Sequence, residues 1–455
     1  MKNILKAALL CIPFTSFAEE PPTPSQTLFT NVHVWDGKSN GITKPINVLI
    51  ENNLIKKLRA NKSDINAKAN IIDGQGKVLM PGLIDTHTHI AVPEQLGTLT
   101  NDVDFMYWGI SAAQVTEDWL MRGYTTVRDA GGPAVGIKRA VEDGKVAGPR
   151  IYPSGPVISQ TSGHGDHRAY TTPHPNMPGN KPHAMQTPQG FELLCDGIPE
   201  VLRCTREVLR SGATQLKLMA GGGASSSFGP LYTTQYLPEE IEAAVRAARD
   251  YGTYVMVHAY HDESIIRSID AGVRSIEHGT LMTEKGMKKI MEKGAWISPY
   301  FTMLSLPWET IEAYVGPQNA HKARAIYDGA KKQISILKAS GYDKIAFGAD
   351  VVGPLSAQRN ANNEFVVRAK YWPPVEVLKQ ATYNNARMLK EETGSRNPYL
   401  EGELGIIAEG AYADVILVDG NPLENIELLA TPYESLLVIM KDGKVYKNAL
   451  KLTTQ

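Results

Sequence analysis

A chain of 455 residues with 42% hydrophobic and 21% charged residues has the length for a large barrel plus an accessory module and the composition of a globular protein. A formal net charge of -1 leaves no basic surface to argue for nucleic acid and no acidic tail for a solvating role.

The chain opens with a secretory pattern. Met1-Lys2-Asn3 and Lys6 give a positive start, Ala7 to Phe14 is apolar, and Ser16-Phe17-Ala18 places small residues before Glu19. Residues 1–18 are therefore expected to be a signal peptide cut after Ala18, with export to a bacterial periplasm or beyond. The apolar run is too short to cross a bilayer, and no other stretch reaches that length. Leu10 before Cys11 stands where a lipidation site would need a small residue. Of the remaining cysteines, Cys195 and Cys204 can pair in an oxidising compartment or stay as two buried thiols.

From Thr27 to Val78 the pattern is β, with Asp36-Gly37 and Asp73-Gly74 as turns. Beyond residue 83 short apolar strands alternate with amphipathic helices. The strands are expected at Leu83–His89, Thr125–Ala130, Arg150–Ser154, Gln215–Met219, Tyr254–Tyr260, Ser275–His278, Ala295–Pro299 and Lys344–Asp350; Pro238–Tyr251 is one of the helices. Eight such units imply an α/β fold, a (β/α)8 TIM barrel whose active site lies at the strand ends. Long connections at 157–197, 221–237, 301–320 and 351–374 follow strand ends and are expected to wall the pocket. After Arg387 β texture returns, through Ala413-Asp414-Val415-Ile416 and Leu436–Met440. Neither end holds enough strands for a stable sheet, so 19–80 and 395–455 are expected to form one discontinuous β-sandwich beside a barrel of 81–394.

The chemistry sits at the strand ends. In Pro81-Gly82-Leu83-Ile84-Asp85-Thr86-His87-Thr88-His89 the period of two puts His87 and His89 on one face, the donor type zinc favours. Lys217 sits in an apolar strand, where an ammonium is costly; a depressed basicity would let its amine take up carbon dioxide as a carbamate, and a buried ion pair is the bland reading. His258 in Val257-His258-Ala259-Tyr260 and His278 in Glu277-His278-Gly279 could each be core histidines, and Asp350 in Gly348-Ala349-Asp350 a helix cap. As a set, four imidazoles, a carboxylate and a lysine can hold two divalent ions that polarise an electrophile and activate a water between them. Asp350 is then the group that takes the water's proton and passes it to a leaving amine.

These motifs together resemble the amidohydrolase superfamily over residues 27–450, and within it the imidazolonepropionase-related metal-dependent carboxypeptidases, which include Xaa-Pro dipeptidases and ochratoxin-hydrolysing amidases. The resemblance implies a binuclear zinc site bridged by N-carboxylated Lys217, with His87, His89 and Asp350 on one ion and His258 and His278 on the other. It also implies a substrate contact at His164, in Gly163-His164-Gly165, as donor to the developing oxyanion; a solvent-facing loop histidine is the alternative. Tyr260, on the same strand face as His258, is expected to meet the substrate carboxylate or the oxyanion. His167, His174, His183 and His261 are expected to be structural, as is Arg128, paired with a carboxylate.

The function these readings support is hydrolysis of an amide or peptide bond to a C-terminal amino acid, in dipeptides or N-acyl amino acids. A mononuclear cyclic-amide or lactone hydrolase or deaminase is the alternative within hydrolases, and a barrel scaffold that lost its metals is the alternative outside them. The substrate is a small molecule or dipeptide, and related enzymes leave room for a homo-oligomer.

Overall fold

The computed structural model describes residues 24–95, 99, 103–177, 190–226 and 228–450. The expected signal peptide, Cys11 and His183 lie outside the described residues. In the N-terminal part the strands are β1 (Gln26–Val34), β2 (Ile46–Glu51), β3 (Leu54–Leu58), β4 (Asn70–Asp73) and β5 (Val78–Pro81). The middle part carries β6 (Leu83–Thr88), β7 (Tyr124–Asp129), β8 (Arg150–Pro153), β9 (Val157–Ser159), β10 (Glu192–Leu194), β11 (Leu216–Met219), β12 (Val255–Ala259), β13 (Ser275–His278) and β14 (Trp296–Ser298). The C-terminal part adds β15 (Val415–Val418), β16 (Leu436–Lys441) and β17 (Lys444–Asn448).

The two ends of the chain share one eight-stranded sheet, in the order β17-β16-β15-β5-β1-β2-β3, with β4 on β1. Strand β5 is the splice, parallel to β1 and antiparallel to β15. Period-two alternation explains why this seam is apolar throughout. Val78, Met80, Ile416 and Val418 face the barrel core, whereas Leu79, Val415 and Leu417 face the sheet's own core. The sheet also bends on itself. β1 pairs with β2 up to Phe29, shifts register, and pairs with β5 from His33; Asn31 in the break has a φ of 52°. A register break of this kind bends a strand and raises its twist. Phe29, Val48 and Ile55 from one half thereby share a core with Val438 and Met440 from the other. Pro81-Gly82 then leads straight into β6.

The barrel strands are all parallel to their neighbours, in ladders β6-β7-β8 and β10-β9-β11-β12-β13-β14. Two seams join the ladders. Thr214 N donates to Pro153 O at 2.8 Å, and residues 344–350 run between β14 and β6. The structure corrects the sequence reading at this eighth position. Lys344–Asp350 is a single bridge, Ile297 with Ile345, and not a ladder strand. Side chains take its backbone donors: Phe347 N donates to Asn385 Oδ1 at 2.9 Å and Ala349 N to Asp85 Oδ2 at 3.0 Å. The segment still touches β6, since Thr86 N donates to Phe347 O at 2.9 Å and Asp350 N to His87 O at 3.0 Å. Gly348 permits this approach, because a Cβ there would lie 2.7 Å from the His87 Cβ.

The loops also differ from expectation. Residues 157–197 contain β9 and β10, paired in parallel, 301–320 contain the helix Trp308–Val315, and 351–374 contain the helices Leu355–Gln358 and Asn363–Ala369. Cys195 and Cys204 form a disulfide that ties the end of β10 to the helix Gly197–Arg210. No helix among the described residues is long and apolar enough to cross a membrane.

Candidate metal centre

His87 closes β6 with both ring nitrogens inside the barrel. Its Nδ1 lies 2.7 Å from Glu277 Oε2, and Glu277 is held in turn by Arg128, whose Nη2 donates to both carboxylate oxygens at 2.8 Å. Arg128 is therefore the carboxylate-paired residue expected at the end of β7. Its partner, Glu277, is a functional residue the sequence reading passed over. A glutamate between Ile276 and His278 in a buried strand was the available signal, since charged residues are rarely buried unpaired. Burial alone would raise the Glu277 carboxyl, but Arg128 and then His87 hold it at about 2. An ionised carboxylate on Nδ1 makes that nitrogen the protonated one and leaves Nε2 with a free lone pair. That Nε2 has no hydrogen-bond partner and sits 3.3 Å from Asp350 Oδ1.

His89 repeats the arrangement with backbone in place of carboxylate. Its Nδ1 lies 3.0 Å from Gly131 O, so its Nε2 turns toward Asp350 Oδ1 at 3.5 Å. His278, at the end of β13, points an unpartnered Nδ1 at Asp350 Oδ2 from 3.4 Å. Two of these residues reach inward from left-handed backbone, His278 at φ 73° and Asp350 at φ 49°. Non-glycine residues hold that conformation at a cost of about 1–3 kcal/mol, and such strain gathers at functional sites.

The charge states suit metal ligation. Burial and then the Lys217 ammonium hold His87 down to about 4. Burial and neighbouring positive groups hold His258 and His278 well below the usual imidazole range. Burial would raise Asp350, but His87, His89 and Lys217 bring it to about 2. Neutral imidazoles around an ionised carboxylate are what a divalent ion needs, because protonated ligands must first release their protons. His87, His278 and Asp350 place ligand atoms within 4.8 Å of one another, and two buried ring nitrogens of the group, His87 Nε2 and His278 Nδ1, have no hydrogen-bond partner. The residues present therefore fit a bound metal.

The other expected residues fall around this group. Lys217, in β11, is buried, and that burial lowers its amine to about 8. His258, in β12, has its ring 4.5 Å from that of His278, but its Nε2 lies 3.0 Å from Gly222 O. Serving as a ligand through that nitrogen would exchange this contact for a metal bond. Tyr260 stands 4.6 Å from the His258 ring, and Tyr300, which the sequence reading did not single out, packs 5.3 Å from His278.

His164 enters from the loop after β9, its ring 4.1 Å from His258. Gly223 N donates to Ser226 Oγ at 3.2 Å, and Ser226 Oγ lies 2.6 Å from His164 Nδ1. The serine oxygen accepts from Gly223 and its hydroxyl remains able to donate to Nδ1, an arrangement that puts the His164 proton on Nε2, or to accept from a protonated Nδ1. Burial keeps this imidazole neutral. Gly223 backs directly onto the ring, where a Cβ would lie 2.1 Å from His164 Cε1. Gly223→Ala is therefore expected to displace His164 and to cut kcat roughly tenfold while thermal unfolding stays near wild type; an unchanged kcat would show that the ring's position does not matter.

The remaining histidines are structural in their contacts. His167 pairs with Glu192 and packs on Phe191, His174 lies 4.0 Å from Asp196, and His261 Nε2 faces Thr233 O at 3.4 Å.

Residues 78–446 match the amidohydrolase family. The chain belongs to that family. It is 30% identical over 384 residues to the ochratoxinase of Aspergillus niger, which covers 81% of this chain and 76% of that one. Among solved structures it is similar to a prolidase complexed with N-methylphosphonate-L-proline, at 31% identity and a TM-score of 0.84 over 93% of this chain and all (100%) of that one. A Xaa-Pro dipeptidase with methionine bound in its active site gives 30% identity and a TM-score of 0.78, with 93% and 100% covered. The amidohydrolase is thus a (β/α)8 barrel with an added sheet, and its metal-binding group lies at the strand ends where barrels place their chemistry.

Proposed function

We propose that this amidohydrolase is a secreted, zinc-dependent enzyme that releases a C-terminal amino acid from dipeptides or N-acyl amino acids. The observation that carries the reading is the convergence of the orphaned His87 Nε2 and His278 Nδ1 on ionised Asp350, beside a buried lysine of lowered basicity. The likeness to an ochratoxinase and to Xaa-Pro dipeptidases supports amide bonds as the target. The Cys195–Cys204 disulfide supports an oxidising compartment, in keeping with the N-terminal secretory pattern.

A lysine amine at about 8 is neutral in part at neutral pH and can add carbon dioxide, releasing a proton and leaving an N-carboxylate. Carboxylated Lys217 with His87, His89 and Asp350, and with His258 and His278 on its other side, would hold two divalent ions. When bound, such ions polarise a carbonyl and lower the pKa of a water held between them. Asp350 would accept a proton from the attacking water and return it to the departing amine. Neutral His164, with Ser226 donating to its Nδ1, would donate from Nε2 to the oxygen that gains charge, and Tyr260 with Tyr300 would offer phenol donors to the substrate carboxylate.

Removing metal with a chelator is expected to reduce hydrolysis of a dipeptide and N-acyl amino acid library to about a hundredth or less of the starting rate, and zinc is expected to restore it. Elemental analysis should find two metals per chain. A single tightly bound metal with full activity would favour the mononuclear alternative, for which the closeness of His87, His278 and Asp350, and the engagement of His258 with Gly222, are the supporting observations.

A further inference from the structure

The Gly-rich connection after β11 folds back as a hairpin, with Gly221 bridged to Thr234 and Gly222 N donating to Thr233 O at 3.0 Å. Its contacts with the site include Gly222 O on His258, Ser226 Oγ on His164 Nδ1, and Gln235 Oε1, which accepts from His164 N at 2.9 Å. The tip of the hairpin is gripped from outside by one side chain. Lys322 Nζ donates to Ser226 O at 2.9 Å and to Gly229 O at 3.0 Å.

Lys322 is an unusual residue in that place. It is buried, at 8% exposure, and no carboxylate pairs with it among the described residues. It also lies in the first turn of the helix Ala320–Ser340, where the helix dipole opposes a cation. A buried ammonium at a helix start is costly unless its hydrogen bonds are made. Here the acceptors are two carbonyls of the Gly-rich loop. One turn on, Ile326 packs against Tyr260 and Leu231, so the same helix face that carries Lys322 also lines the Tyr260 wall.

We propose that Lys322 is a positioning residue for the reaction: it latches the tip of the Gly-rich hairpin and thereby fixes Ser226, which holds the His164 ring in place. The proposal rests on His164 being a substrate-facing donor. Lys322 acts through Ser226 and touches no substrate itself.

The test uses the full chain carrying Lys322→Met, which keeps length and volume and removes the donors, and Lys322→Arg, which keeps them. Amide hydrogen exchange across 221–237 is expected to quicken at least about tenfold in the methionine variant, with the β6–β14 strands unchanged. Carbethoxylation of His164 by diethyl pyrocarbonate, followed by mass spectrometry, should rise alongside it. On the best dipeptide or N-acyl amino acid from the library, kcat should fall roughly ten- to a hundredfold with KM moved less than about threefold. Lys322→Arg should recover most of that loss. In a Ser226→Ala background the methionine change should add less than about twofold, since both act on one ring. Unchanged exchange in 221–237 would overturn the latch. A loosened hairpin with unchanged kcat would overturn the positioning role. If the wild type hydrolyses no amide in the library, the proposed function fails, and exchange and His164 modification still decide whether Lys322 holds the hairpin.

Discussion

Replacing Lys217 with alanine is expected to leave a folded chain that turns over at least about a thousandfold more slowly. Lys217 occupies the centre of the parallel ladder, opposite Met256, between buried Leu216 and Leu218. Its amine is fully enclosed, with Glu277 and Asp350 as the nearest negative groups and Arg128 as an opposing positive one. Burial outweighs these carboxylates and lowers the amine's basicity, and a buried ion pair of this kind gains little over apolar residues of the same size. Compared metal-free, Lys217→Met, which leaves no cavity, should therefore unfold near the wild-type temperature. Both variants should lose one or both metals by elemental analysis, since the bridging carboxylate has no replacement. Activity at the wild-type level in Lys217→Ala would refute the carbamate role outright. Lost activity with full metal content would move Lys217 from metal ligand to substrate contact.

Much of this was legible in the sequence because strands and barrels obey short rules. Two residues apart on a strand means one face, so His87 and His89 were readable as a pair. A charged or imidazole side chain in or just after an apolar run was readable as a candidate site residue, which is how Lys217, His258, His278 and Asp350 were picked out. The pairing of the two chain ends followed from too few strands at either end, and the structure puts β5 and β15 side by side. What was not legible depends on contacts distant in sequence. The eighth strand dissolves into a single bridge because Asn385, well downstream, supplies the acceptor for Phe347 N, and Asp85 the one for Ala349 N. Glu277 was hidden because it sits beside a more conspicuous histidine, and its meaning lies in Arg128, on a strand not adjacent to its own. Lys322 was hidden because a lysine in the first turn of an amphipathic helix reads as solvent-facing; only the hairpin folded over it shows otherwise.

Glu277→Gln is expected to destabilise the protein by about 3–5 kcal/mol and to weaken metal binding about 10–100-fold, and the two effects have different causes. The stability loss comes from Arg128. Its guanidinium is wholly buried and is neutralised by a bidentate contact with Glu277, with Thr86 O, Tyr254 Oη and Ser275 Oγ as further partners of the cation. Glutamine keeps the shape and removes the charge, so a guanidinium is left in the core without a counter-ion. The metal effect comes from His87. The carboxylate fixes the proton on Nδ1 and raises the basicity of Nε2, whereas an amide can present either oxygen or nitrogen to the ring and no longer enforces one tautomer. Arg128→Met combined with Glu277→Gln separates the two. The double variant should regain at least half of the lost stability, because no lone charge remains buried, yet its metal affinity should stay as low as that of the single variant. Denaturant unfolding of the metal-free proteins and competition with a zinc-binding dye read the two quantities independently. A stability change within about 1 kcal/mol for Glu277→Gln would show that Arg128 finds its compensation elsewhere. Recovery of metal affinity in the double variant would show that Glu277 acts on the site through the arginine and not through His87.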